Sequence, residues 1–155
     1  MSWEIFVTIS HIIGTVLGVG GATFAEIFYL KTDKNGSVAY TVMRIGMIIL
    51  VLSGFGYLLL LRFSGQEQYI YSPRLWAKLT ITLVILVNAL LLQIHKLPIK
   101  VGSAISLTSW YAALVLGAWR GLPVGYFGIM AWYMVAILAV ALLQHFIRKK
   151  MIVKA

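Results

Sequence analysis

A chain of 155 residues has a one-domain length, and this one is 61% hydrophobic and only 11% charged, where a soluble domain carries about 25% charged residues. So short a chain cannot bury that much apolar surface in water, which excludes a soluble fold and points to lipid as the solvent. The formal charge of +9 would suggest nucleic acid in a soluble protein, but here the basic residues fall at the ends of apolar runs, where anionic headgroups meet them, and no basic domain is left to hold a nucleic acid.

A bilayer span needs about 20 apolar residues, and five runs meet or approach that length: 3–30, 39–63, 73–94, 102–119 and 124–147. The expected fold is therefore all-α, a polytopic membrane bundle of five transmembrane helices in a single domain. The connections are short, so successive helices are antiparallel. The absence of Cys excludes disulfides, thiolate-held iron–sulfur clusters and Cys zinc sites.

The first run follows Met1-Ser2-Trp3-Glu4, with neither a basic n-region nor a small-residue cleavage site, and reads as a membrane helix rather than a cleaved signal. It carries His11, then Gly14, Gly18, Gly20, Gly21, Ala22 and Ala25, then Glu26. His11, Gly14, Gly18, Gly21 or Ala22, and Ala25 share one face at the three-or-four spacing. Such a stripe lets another backbone or a flat ligand approach closely. It predicts a helix–helix contact, within the chain or between copies in a homo-oligomer, or a groove for a planar cofactor. An imidazole one to two turns into lipid needs a partner, so His11 is expected to face the bundle interior toward Lys78, as a metal ligand, a proton shuttle or a catalytic group.

The second run brings Arg44 about one turn in, at a depth expected to match that of Glu26 on the adjacent antiparallel helix, and the two are expected to pair. The third opens at Pro73, a helix-start residue, and carries Arg74, Lys78 and Asn88. The fourth has Ser103, Ser106 and Ser109 at three-residue spacing, suited to interhelical hydrogen bonds. The fifth ends in Arg148-Lys149-Lys150, which fits a headgroup anchor. His95 and His145 close the third and fifth runs, at one depth from which two imidazoles can take a haem iron from both faces. Trp3, Trp76, Trp110, Trp119, Tyr69, Tyr71 and Tyr126 read as interfacial anchors.

One end of this arrangement holds Lys31, Lys34, Arg44, Lys96, Lys100, Arg148, Lys149, Lys150 and Lys154, nine cations against the four of Arg62, Arg74, Lys78 and Arg120. The positive-inside rule places the N-terminus outside and the C-terminus in the cytoplasm, in a bacterial inner or plasma membrane. Arg62, Arg74 and Arg120 would then lie together at the outer surface, able to meet an anionic group such as a propionate or a phosphate.

A His early in the first helix, a Gly-rich continuation, Arg44 opening the second helix ahead of Ser53-Gly54, and Trp76-Ala-Lys78-Leu opening the third together resemble a group of small bacterial membrane proteins. That group includes the CopD-like copper-resistance domain and the HemJ-type protoporphyrinogen oxidases, and the likeness covers the first three helices. The segment after the first helix, Ile27-Phe28-Tyr29-Leu30-Lys31, differs from the HemJ pattern and points to a sister family. The resemblance implies a bundle that binds haem b and does membrane redox chemistry. His11 would be the axial ligand, Lys78 its helper, Gly14 and Gly18 the floor for the macrocycle, and the arginines its propionate partners. The second ligand would fall to Met130, Met134 or an open position. The competing expectation is a transporter or channel for a small ion or metabolite, its path lined by Glu26, Arg44 and Asn88. The third is an accessory membrane subunit with a packing role.

Overall fold

The computed structural model describes residues 2–31, 36–119 and 123–152. Among these the chain forms five α-helices: α1 (Trp3–Lys31), α2 (Gly36–Phe63), α3 (Pro73–Gln93), α4 (Ile99–Ala118) and α5 (Tyr126–Ile152), with a 3₁₀ turn at Glu67–Tyr69 before α3. All five are long and apolar enough to cross a bilayer. A helix suits lipid because every backbone N–H and C=O in its body finds a partner inside the segment. Large apolar side chains stand outward along each helix, among them Val16, Leu52, Leu83, Val115 and Leu138. In water that surface would be untenable, and in a bilayer it is the solvent-facing side.

Local chemistry sets the helix ends. Ser72 caps α3 by accepting the Leu75 N–H at 3.3 Å, with Pro73 in the first turn, where a missing N–H costs nothing. The chain leaves α2 through Gly65 at φ 70°, and the Gln66 N–H returns to the Leu61 carbonyl. It leaves α3 in the same left-handed way through His95 at φ 56°, with Lys96 N–H on Leu91 and His95 N–H on Leu92. Glycine is the usual residue at this position because it has no Cβ to clash.

The helices run up and down, so that one end of the bundle gathers the starts of α1, α3 and α5 and the other gathers their ends. These are called here the N-terminal and C-terminal ends. α1 packs on α2 and α4, and α4 also packs on α3 and α5. α4 is the hub: 39% of its apolar window is buried, against 11% for α5. The core gathers Ala22 of α1, Leu50 of α2, Ala77, Ile81 and Ile85 of α3, Trp110 and Leu116 of α4, and Ile129 and Tyr133 of α5.

The glycine stripe of α1 lies inside the chain. A Cβ on Gly14 would stand 2.8 Å from the Leu50 nitrogen and 3.0 Å from the Gly46 carbonyl oxygen, and one on Gly18 would collide with the Trp110 ring. Gly21 meets Met43 and the Ala39 carbonyl. The stripe thus seats α2 and Trp110. Trp110 itself is 1% exposed, in the core rather than at an interface as its type suggested. Gly14, Gly18 and Gly21 are covered by α2 and α4.

Lipid offers apolar side chains no incentive to leave it for one another, so tight packing and polar contacts hold membrane helices together. Four tyrosine hydroxyls provide such contacts here. Tyr57 donates to Thr8 at 2.8 Å (α2 to α1), and Tyr111 pairs with Thr23 at 3.1 Å (α4 to α1). Tyr126 pairs with Thr80 at 3.1 Å (α5 to α3), and Tyr133 with Ser109 at 2.6 Å (α5 to α4).

Candidate functional site

The most polar place in the bundle lies toward its C-terminal end, where α1, α4 and α5 meet. Glu26 comes from α1, Ser103 from the second turn of α4, and Gln144 and Arg148 from one face of α5, one turn apart. The Arg148 guanidinium donates through Nη2 to Glu26 Oε1 at 3.0 Å and to Ser103 Oγ at 3.0 Å. The two charged side chains are 13% and 10% exposed. Ser103 Oγ also lies 3.4 Å from Gln144 Oε1. The second carboxylate oxygen, Glu26 Oε2, and the Gln144 amide nitrogen are buried without a hydrogen-bond partner.

Glu26 lines a small cavity with Ala22, Ala25, Tyr40, Met43, Leu92, Ser103 and Ser106. Its volume of about 10 Å³ is the room of roughly one water. Nearby, Asn88 of α3 donates to the Gly102 carbonyl at 2.9 Å and leaves its own buried oxygen unpaired. Buried polar atoms nearly always find partners, so three such orphans in one region mark a place built for something other than packing.

The expected Glu26–Arg44 pair is not formed; Arg148 takes the carboxylate. The reason is register. His11 faces Ser53, Gly14 faces Leu50 and Gly21 faces Met43. Continuing that antiparallel ladder brings Glu26 opposite position 38. Arg44 stands six residues further into α2, about 9 Å along the axis at 1.5 Å per residue, and is exposed. Counting from helix ends misjudged both depths by a few residues. Arg148 was read as a headgroup anchor with its neighbours. The signal for its inward direction is Gln144 four residues earlier, a second polar side chain on the same face of an otherwise apolar helix.

His11 lies toward the other end, half-buried between α1 and α2. Its Nδ1 is 3.0 Å from Ser53 Oγ, and its ring meets Tyr57 edge-on with centroids 5.3 Å apart. The Ser53 hydroxyl already donates to the Ile49 carbonyl at 2.7 Å, so it accepts from Nδ1–H, and Nε2 keeps the free lone pair. His11 therefore turns to α2 rather than to α3. Lys78 is still within coulombic reach of the imidazole. His11 lines neither the cavity beside Glu26 nor an open groove of about 370 Å³ between α3 and α5, lined by Tyr71, Pro73, Trp76, Thr80 and Tyr126.

The remaining candidates do not converge. Arg62 pairs with Glu67 at 3.6 Å in the solvated turn, and Arg74 donates to the Trp119 carbonyl at 3.0 Å. Arg120 lies outside the described residues. His95 is exposed and serves as the left-handed cap of α3, and His145 is exposed beside Phe146. Met130 is partly buried against the core and Met134 is exposed. Among the described residues there is no group of three His, Asp or Glu side chains able to hold a metal ion.

A haem does not fit this arrangement. The Gly14–Gly18 face that would floor the macrocycle is filled by Gly46, Leu50 and the Trp110 ring, and two of the arginines that would meet its propionates, Arg62 and Arg74, are engaged elsewhere. Comparison with family models, curated proteins and solved structures found no match to the chain, so the candidate site rests on its own geometry: a buried ion pair linking the first and fifth helices, ringed by unpaired polar atoms.

Proposed function

We propose that the chain is a membrane carrier for a small polar solute and that the Glu26–Arg148–Ser103–Gln144 cluster is its binding point. The observation that carries this reading is the cluster itself. A buried ion pair contributes less to stability than well-packed apolar residues of the same volume, and intramembrane charges concentrate on substrate and ion pathways. Two of the three residues expected to line a path, Glu26 and Asn88, are buried, and Arg148 takes the place at Glu26 assigned to Arg44. In this reading the basic C-terminal end, with Lys96, Lys100, Lys149 and Lys150, faces the cytoplasm.

The test is entry of small solutes into liposomes carrying the purified protein, followed by light scattering. Lactate, phosphate, glycine and glycerol serve as probes, against protein-free liposomes and an Arg148→Gln variant. Entry of at least one probe faster than in protein-free liposomes, and its loss in the variant, is the expected result. Equal rates for all four probes with and without protein would overturn the reading.

A further inference from the structure

The cluster is unbalanced. The Arg148 guanidinium and the unpaired Gln144 amide nitrogen supply its donors, while the Ser103 hydroxyl accepts from Arg148 and donates onward to the Lys100 carbonyl or Gln144 Oε1. Among the described residues its anion is Glu26. A guanidinium and an amide N–H around one resident carboxylate make an anion site whose occupant is part of the protein. Glu26 holds that place through Oε1, while Oε2 is buried and without a hydrogen bond. A proton reaching Oε2 would find no competing donor there.

We infer that this site carries a small anion together with a proton: protonation of Glu26 releases the Arg148 guanidinium, which then takes the anionic group of the solute in place of the carboxylate. The inference rests on the carrier reading above and names its substrate class. No bond other than O–H is made or broken. The carboxylate gains one proton from the aqueous phase, becomes neutral and loses its charge-assisted bond to Arg148. The guanidinium stays charged throughout, being unable to deprotonate in proteins, and the incoming anion restores neutrality.

The groups facing Glu26 come from every element packed against it. From α2 the titratable group on the cavity wall is Tyr40, and from α3 the neighbour is Leu92. From α4 come Ser103 and Ser106, with Lys100 exposed one turn earlier, and from α5 Arg148, with His145, Lys149 and Lys150 exposed. From α1 itself the neighbours are Ala22 and Ala25. The cavity admits no more than a water in the arrangement seen, so the site is occluded while the pair is closed. α5 is the least buried span, and Arg148 ties its C-terminal end to α1, with Gln144 beside Ser103 of α4. Breaking the Glu26–Arg148 bond therefore frees the guanidinium for the solute and removes this tie between α5 and α1 in one step.

The experiment uses liposomes carrying the full chain, a lumenal pH dye, and lactate as the probe anion. An inward lactate gradient should drive lumenal acidification beyond that of protein-free liposomes. The rate should fall about tenfold per pH unit on the alkaline side, the slope of a one-proton site. Glu26→Gln, which cannot take up a proton, should abolish the lactate-driven acidification and the pH dependence of labelled-lactate exchange. Where that variant does not fold, the pH profile of the unaltered protein decides. Lactate flux that is equal at mildly acidic and mildly alkaline pH, without acidification, overturns the proton coupling and leaves the carrier reading in place. Flux of glycine or glycerol but not of lactate overturns the anion assignment. Flux of none of the probes overturns both.

Discussion

Adding one methyl group at Gly46 should loosen the α1–α2 pair, whereas the same methyl at Gly20 should not. A Cβ on Gly46 would stand 2.7 Å from the Gly18 nitrogen and 2.9 Å from the Gly14 carbonyl oxygen. Comfortable contact begins at about 3.5 Å, so α1 must retreat by roughly 0.7 Å. Both opposing atoms are backbone, so no side chain can swing away. Overpacking of this kind costs about 1–3 kcal/mol. The shift would also loosen Gly14 from Leu50 and Val7 from Gly56, which share the same interface. At Gly20 nothing lies within 4 Å of the added carbon, and Ala is the better helix former by about 1 kcal/mol in water, so the change there is neutral or stabilising. Thermal unfolding of the two variants in detergent micelles, read by circular dichroism, measures the difference. Gly46→Ala is expected to melt several degrees lower and Gly20→Ala at or above the unaltered protein. Equal melting of all three, or a loss at Gly20 as large as at Gly46, would refute the glycine-seated helix pair.

Removing one member of the buried pair, in Glu26→Gln or Arg148→Gln, should destabilise the bundle by about 3 kcal/mol by leaving the other charge uncompensated, and the double variant should recover part of that loss; Arg44→Gln should melt like the unaltered protein, and a loss equal to that of Glu26→Gln would return Arg44 to the pair. His95 occupies a left-handed position at φ 56°, so His95→Gly should stabilise by about 1 kcal/mol, measured by the same melting experiment. A decrease there would mean that the imidazole, not the backbone, matters at that turn.

The helices were legible because lipid imposes a simple rule on composition: each span is a run of apolar residues, and its borders carry Lys, Pro, Gly or Gln. The expected spans 3–30, 39–63 and 73–94 match α1, α2 and α3 at one end each and differ by one to three residues at the other. α4 begins three residues earlier than expected, at Ile99, because Pro98 opens the helix. α5 runs to Ile152, past the expected end at 147. The close-approach role of the glycines was legible for the same reason, since no other residue permits that distance. What fills the stripe was not: Trp110 is an aromatic near a run of serines, and nothing local distinguishes a core tryptophan from an interfacial one. Nor was the partner of Glu26. Pairing depends on helix register and rotation, and in lipid all outward residues are apolar as well, so hydrophobic periodicity no longer reports which face is inward. Only the polar residues of α5, Tyr126, Tyr133, Gln144 and Arg148, trace its inner face, and they stand far apart in the sequence.

Glu26 and Arg148 are separated by 122 positions, on the first and fifth helices. During synthesis α1 and α2 can close their glycine contact as soon as both have left the ribosome, since it needs no other helix. Glu26 must then wait in the membrane, with its carboxylate uncompensated or protonated, until α5 arrives as the last of the five. A chain interrupted before α5 would lack the Arg148 partner of the acid in its first helix.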